Sequence, residues 1–217
     1  MKMIILSLFD LTGNWSKPYK DNGYEVIQVD IQKGIDILTW DYKKIPKGEV
    51  YGILAAVPCT DFAISGARHF TKKDADGTTA QSIKLVEKTM EIINYFEPTF
   101  WVIENPMSRI HKLMPELGQV KFKFHPCDFA GYLEDKEERD SNRYNKTTWL
   151  WGNFNNPMPK RLEPFMKDSP IWKRTDAKGN SISGKTFGKK GLTRQDWANI
   201  RSATPMGFAW AFYESNS

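Results

Sequence analysis

The sequence predicts an α/β fold, a parallel, doubly wound sheet with a small loop-rich region attached. Three observations predict it. Short, continuous apolar runs of buried-strand character recur through the first half of the chain. One long amphipathic pattern of helical period separates two of them. Each of the clearest runs also ends in a polar or reactive residue, and in open α/β sheets ligands bind at the carboxyl ends of the strands.

In chain order, "MIILSLF" (Met3 to Phe9) reads as a fully buried strand. The loop "DLTGNWS" follows, and Lys17 to Gly23 is expected as a short helix ended by the glycine. "YEVIQVD" is the second strand and stops at Asp30; "IDILTWD" is expected as a third extended piece. "VYGILAAV" is a fourth and delivers Pro58 and Cys59. Over residues 79–97, Ile83, Val86, Met90 and Ile93 keep helical spacing while Lys84, Glu87, Lys88 and Glu91 face out, until Pro98 stops the helix. "TFWVIENP" is a further buried strand with Glu104 and Asn105 at its end. Beyond residue 115, "VKFKFHPCDF" alternates like a strand with one exposed face, and "KTTWLWGNF" is also strand-prone. A loop-rich stretch leads to Thr193, a capping residue for the first of two helices flanking Pro205.

Bulk properties narrow the class. With 217 residues, 40% hydrophobic and eight tryptophans, the chain can bury a core and is not of disordered composition. No apolar run approaches a membrane span. The start, "MKMIILSLFD", has the basic-then-apolar look of a signal peptide, but Asp10 interrupts it and no small-residue cleavage site follows, so a first strand is expected. Two distant cysteines make no disulfide framework, which fits a reducing, cytoplasmic setting. The net charge of +5 is modest, but basic residues from Lys160 to Arg201 clearly outnumber acidic ones, while "EDKEERD" (Glu134 to Asp140) concentrates the opposite sign. A solvated surface explains the acidic run, and it explains the basic one as readily as a polyanionic partner does.

Asp10, Asp30, Cys59 and Glu104 stand at four strand tips. The first loop lacks the G-x-G-x-x-G pattern of a dinucleotide site, yet strand, Gly13-containing loop, helix and strand ending in an acid is an order that suits an adenosyl ligand, with Asp30 placed for two ribose hydroxyls. Cys59 is either a small buried hydrophobe or a nucleophile whose pKa a strand-to-loop junction can lower. Glu104 is either a structural carboxylate or an acid raised by its water-poor surroundings. Neighbouring strand tips would suit thiol attack assisted by a carboxylic acid. The three histidines show no metal-ligand spacing and there is no C-x-x-C, so no metal is expected. A Cys59 hydrolase using His125 as base stays open but has no spacing in its favour.

In order along the chain, "LFDLTGNWSKPYKDNGYEVIQVDI", "DILTWDY", "VPCTDFAISG", "FWVIENP", "RYNKTTWLWGNF" and "RSATPMGFAWAF" resemble the DNA cytosine methyltransferases that act at ring carbon 5, in the compact form met in phages and large viruses. The pieces run from Leu8 to Phe212. There are departures: the usual Phe-x-Gly-x-Gly is Phe9 to Asn14 with one glycine, Pro-Pro-Cys is Val57-Pro58-Cys59, Glu-Asn-Val is Glu104-Asn105-Pro106, and the Gln-x-Arg-x-Arg strand survives only as Arg143, Lys146 and Thr148.

The resemblance implies a Rossmann-like fold of the S-adenosylmethionine-dependent methyltransferase type. It implies residues 1–153 as a catalytic and cofactor domain, 154–191 as a short basic target-recognition region and 192–217 returning to the catalytic domain. Cys59 would attack carbon 6, Glu104 would serve ring nitrogen 3, and Lys146 would hold the base or its phosphate. S-adenosylmethionine would meet Phe9, Asp10, Thr12 and Gly13 at its methionine end, Asp30 and Ile31 at the ribose and adenine, Asp36 and Ile37 on the adenine side, with Pro58 alongside and Ser202 and Thr204 in a closing segment. Trp15 and Trp40 are adenine-stacking or core residues, the core being favoured for Trp40. The expected partner is cytosine-containing DNA, the expected state a monomer free of membrane, in the cytoplasm of a bacterial host if the gene is a phage's. Alternatives are a methyltransferase-fold protein that binds nucleic acid without turnover, or the same chemistry on RNA or with a modified donor.

Overall fold

A computed structural model describes residues 3–162 and 193–217. Ile4–Leu8 (β1) is buried along its whole length, as a strand covered on both faces must be. It pairs in parallel with Glu25–Val29 (β2) and with Val50–Ala55 (β3), and β3 pairs in parallel with Phe100–Pro106 (β4). Phe122–Phe124 (β5) and Thr148–Asn153 (β6) complete the sheet antiparallel, in the order β2-β1-β3-β4-β6-β5. The sheet is therefore mixed: four parallel strands as the sequence predicts, with an antiparallel pair at one edge.

Among the described residues the helices are Lys17–Asp21 (α1), Phe70–Ala75 (α2), Thr78–Phe96 (α3), Ile110–Leu113 (α4), Lys136–Asn142 (α5), Arg194–Ser202 (α6) and Met206–Ser215 (α7). Period-two alternation in the strands divides the core. Ile53, Ile103 and Trp151 join the layer that contains Val86, Ile92, Ile93 and Phe96 of α3. Leu54, Val102 and Leu150 face Phe208, Ala211 and Phe212 of α7. Phe208 stacks on Phe124 with centroids 4.0 Å apart, and each such buried ring contributes about 1.5–3 kcal/mol. Trp15 is fully buried against Phe208 and Phe212, each at 5.8 Å, which removes it as an adenine platform; Trp40 packs against the core layer of α3.

Two expected strands are corrected. Residues 36–41 turn instead of extending: the Asp36 carboxylate accepts from Leu38 N at 2.9 Å, and its carbonyl accepts from Thr39 and Trp40 N, a local competitor to any ladder. The strand expected around Val120 to Phe129 keeps only Phe122–Phe124, because Pro126 opens a 3-10 helix (Pro126–Tyr132) in which His125 and Asp128 cap each other. The region 154–191 lies largely outside the described residues.

One packing contact has a measurable consequence. Gly152 in β6 sits at φ 140°, and a Cβ there would lie 2.1 Å from the Trp101 carbonyl oxygen on β4. We expect Gly152→Ala to lower stability by about 2–4 kcal/mol in urea unfolding, through strained φ and a backbone clash together. An unchanged midpoint would contradict the close approach of these strands.

Candidate active site

The carboxyl ends of the parallel strands open onto a cleft of about 900 Å3. At the tip of β1, Phe9 has φ 59°, an uncommon conformation for a side-chain-bearing residue that costs about 1–3 kcal/mol and clusters at functional loops. Asp10 is 4% exposed and organises the following loop: Oδ1 accepts from Gly13 N at 2.9 Å and Thr12 Oγ1 at 3.3 Å, Oδ2 from Ser7 Oγ at 2.8 Å. Gly13 has φ 73°, and a Cβ there would meet Gln28 Nε2 at 2.8 Å. The single glycine the loop retains stands where one is required.

At the tip of β2, Asp30 Oδ1 accepts from Gln32 N at 2.8 Å and caps a turn that leaves Ile31 67% exposed on the cleft wall. The C-terminal segment closes this side. Gln32 and Asn199 exchange amide hydrogen bonds of 3.1 and 3.3 Å, and Asn14 Nδ2 donates to the Thr204 carbonyl at 3.1 Å.

Cys59 is held from two directions. Before it, Asn105 Nδ2, fully buried at the end of β4, donates to the Val57 carbonyl at 3.0 Å. After it, the Cys59 carbonyl accepts from Phe62 N and Ala63 N. The loop is then stitched to the segment beyond β4 by Ile64 N to the Met107 carbonyl at 3.0 Å and Arg109 N to the Phe62 carbonyl at 2.9 Å. Arg109 completes the brace with a bidentate pair to Asp74 at 2.6 and 2.7 Å, and this holds the Asp74 carboxyl at about 2. The tips of β3 and β4 are thus fixed to one another, and with them Cys59 and Glu104.

Electrostatics link the two further. Burial first, then the Glu104 carboxylate, push the Cys59 thiol above its ordinary value; Lys146, a backbone hydrogen bond and Arg201 act the other way. The expected lowering at a strand-to-loop junction is therefore outweighed. Tyr144, 3% exposed and on the cleft wall, is likewise raised by burial and then by Glu104. Cys127 is the other kind of cysteine: buried, its Sγ donating to Asn145 Oδ1 at 3.2 Å, its thiol pushed by burial and Asp128 up to about 11.

Of the residues the sequence singles out, Phe9, Asp10, Thr12, Asp30 and Ile31 line one part of the cleft. Pro58, Cys59 and Lys146 line another, and Ser202 and Thr204 border it from the C-terminal segment. Gly13, Asp36, Ile37 and Glu104 do not wall it. Ile37 is 4% exposed in the core, and Asp36 spends its carboxylate on its own turn. No described histidine lines the cleft: His125 caps the 3-10 helix at Pro126, and His111 lies among Trp149 and Trp151. Tyr144, Asn145, Gln32, Asn199 and Arg201 are cleft residues that sequence reasoning missed. Tyr144 and Asn145 lie inside the "RYNKTTWLWGNF" piece and Arg201 opens "RSATPMGFAWAF", whereas Gln32 and Asn199 carried no signal.

An open α/β sheet with a thiol and a carboxyl fixed at adjacent strand tips, beside a cleft bordered by an acid-tipped strand, is the architecture of a methyltransferase-type enzyme. The chain belongs to the C-5 cytosine-specific DNA methylase family, which its residues 9–132 match. It is 27% identical over 215 residues to the "Probable DNA (cytosine-5)-methyltransferase" of Frog virus 3 (isolate Goorha), covering 89% of this chain and 92% of that protein. A solved E. coli protein, assigned as a prophage-encoded DNA modification methyltransferase, aligns over 75% of this chain with a TM-score of 0.46 and 14% identity; this chain spans about half (52%) of its length. Among the described residues, no helix is long and apolar enough to cross a membrane.

Proposed function

We propose that the chain transfers a methyl group from S-adenosylmethionine to carbon 5 of cytosine in DNA, through a temporary bond from Cys59 Sγ to carbon 6 of a base turned out of the duplex. The observation that carries this is the coupling of Cys59 and Glu104 across two strand tips that Asn105 and Arg109 lock together.

Cytosine carbon 5 is a poor nucleophile. Addition of the Cys59 thiolate to carbon 6, with a proton delivered to nitrogen 3 from the Glu104 carboxyl, converts the ring to an enamine with electron density on carbon 5. The bound cofactor supplies the electrophilic methyl group that carbon 5 accepts. Loss of the carbon 5 proton to a base, with return of the nitrogen 3 proton to the Glu104 carboxylate, then lets the Sγ–carbon 6 bond break, which regenerates the thiolate, the Glu104 carboxyl and the aromatic ring. The target atom is shielded inside a duplex, so the nucleotide must be flipped or already unpaired.

The cofactor fits the residues present. The Asp30 tip suits ribose hydroxyls, and exposed Ile31 beside it offers an apolar face to a planar ring. Phe9, Asp10 and Thr12 would hold the methionine end, with Ser202 and Thr204 closing from the C-terminal segment. Lys146 serves as the cation that holds the base or its phosphate, and the basic region 154–191 as the target-recognition segment.

Transfer of tritiated methyl groups from S-adenosylmethionine to cytosine-containing DNA tests the reading, and absence of label across varied duplexes overturns it. Separately, S-adenosylhomocysteine at a hundred times its Kd is expected to stabilise the folded chain by about 2.7 kcal/mol, a rise of roughly 5–10 °C in Tm. An unmoved Tm at saturating ligand removes the cofactor assignment.

A further inference from the structure

The cleft is electrically divided. Among the described residues that line it, four are charged: Asp10 and Asp30 at the tips of β1 and β2, and Lys146 and Arg201. The two cations come from different parts of the chain, Lys146 from the segment leading into β6 and Arg201 from the last turn of α6. Both act on the Cys59 thiol, so the basic end of the cleft is the thiol's end. Arg201 is exposed on the cleft wall, and α6, which carries it, is fastened to the opposite wall by the Gln32–Asn199 pair two residues earlier.

We propose that Arg201 is a phosphate-anchoring, positioning residue of this site: together with Lys146 it grips the phosphodiester of the target nucleotide and so keeps the base over Cys59. The inference rests on the methyltransferase reading and adds to it a residue from the C-terminal helix. An exposed guanidinium presents a planar fork of donors that matches two phosphate oxygens, a fit that a lysine meets only as a point charge. Two cations flanking a thiol inside a cleft also favour a polyanion over the neutral base alone. Within the active site an anion has two sources, a DNA phosphate or the carboxylate of the cofactor's methionine end. The acidic residues at the cofactor end place the cations with the DNA.

The test is binding of a fluorescein-labelled cytosine-containing duplex, with S-adenosylhomocysteine present, titrated with salt. It needs no turnover. Arg201→Ala is expected to weaken binding by about tenfold at low salt and to reduce the slope of log K against log salt by about one. Arg201→Lys should restore the slope and only part of the affinity, while affinity for S-adenosylhomocysteine stays at the wild-type value and reports an intact fold. Wild-type DNA affinity and slope in Arg201→Ala overturn the inference and leave the enzyme reading standing. So does a loss confined to S-adenosylhomocysteine binding, which would assign Arg201 to the cofactor carboxylate. Failure of the wild-type chain to label any DNA is the separate result that removes the enzyme reading itself.

Discussion

Cys59→Ser is expected to abolish methyl transfer, with label incorporation falling at least about 10^3-fold, while the variant still responds to S-adenosylhomocysteine in a thermal shift. The size of the effect follows from the chemistry. Attack on carbon 6 needs an anionic, polarisable atom, and a serine hydroxyl at the same place is neither ionised near neutral pH nor comparably nucleophilic. The fold has little stake in the exchange, because Cys59 is only partly buried and its backbone carbonyl makes the hydrogen bonds to Phe62 and Ala63. The same environment sets a pH signature. Burial and Glu104 raise the thiol, so in the free protein it stays protonated above the pH at which an ordinary cysteine ionises. Iodoacetamide labelling of the Cys59 peptide, read by mass spectrometry, should therefore keep rising with pH beyond the ordinary cysteine midpoint. A plateau at or below that midpoint would contradict the raised thiol, and full methyl transfer by Cys59→Ser would remove the covalent mechanism.

Fold and site were legible in the sequence to different depths. Buried parallel strands declare themselves because apolar runs such as "MIILSLF" have few alternatives, and the α3 pattern ended at Pro98 because proline disfavours helical backbone before it. The strand expected at "IDILTWD" failed for a local reason: an aspartate's carboxylate reached its own backbone two residues on, and apolar content says nothing of that competition. The strand tips were legible as chemistry because topology puts them on one edge. Closure from the far end was expected only through the resemblance, at Ser202 and Thr204, and the contacts that make it were not legible. The Gln32–Asn199 pair joins residues 167 apart, Arg201 reaches the same cleft, and no periodicity announces such a meeting. Asn105 shows the limit from the other side: its presence in the Glu-Asn piece was visible, but its work, pinning Val57 ahead of the nucleophile, exists only once β3 and β4 lie side by side.

Glu104→Gln separates catalysis from thiol reactivity, because the two are expected to move in opposite directions. Removing the carboxyl removes the proton donor to nitrogen 3, and general acid assistance of that kind is worth about 10^2–10^4 in rate, so methyl transfer should fall within that range. The same change removes a negative charge that disfavours the thiolate. With burial and the cations Lys146 and Arg201 left in place, the Cys59 thiol must move down, and alkylation at a fixed pH below its midpoint must speed up. The sign is fixed by electrostatics: an anion beside an ionising thiol raises its pKa, and a neutral amide of the same shape does not. A merely structural glutamate would behave differently, since its loss would loosen the cleft, lower Tm and leave the alkylation midpoint where it was. Slower transfer together with faster alkylation is the result that places the carboxyl against the reacting ring; unchanged transfer, or an alkylation midpoint that rises, would show that Glu104 and Cys59 do not act on the same substrate.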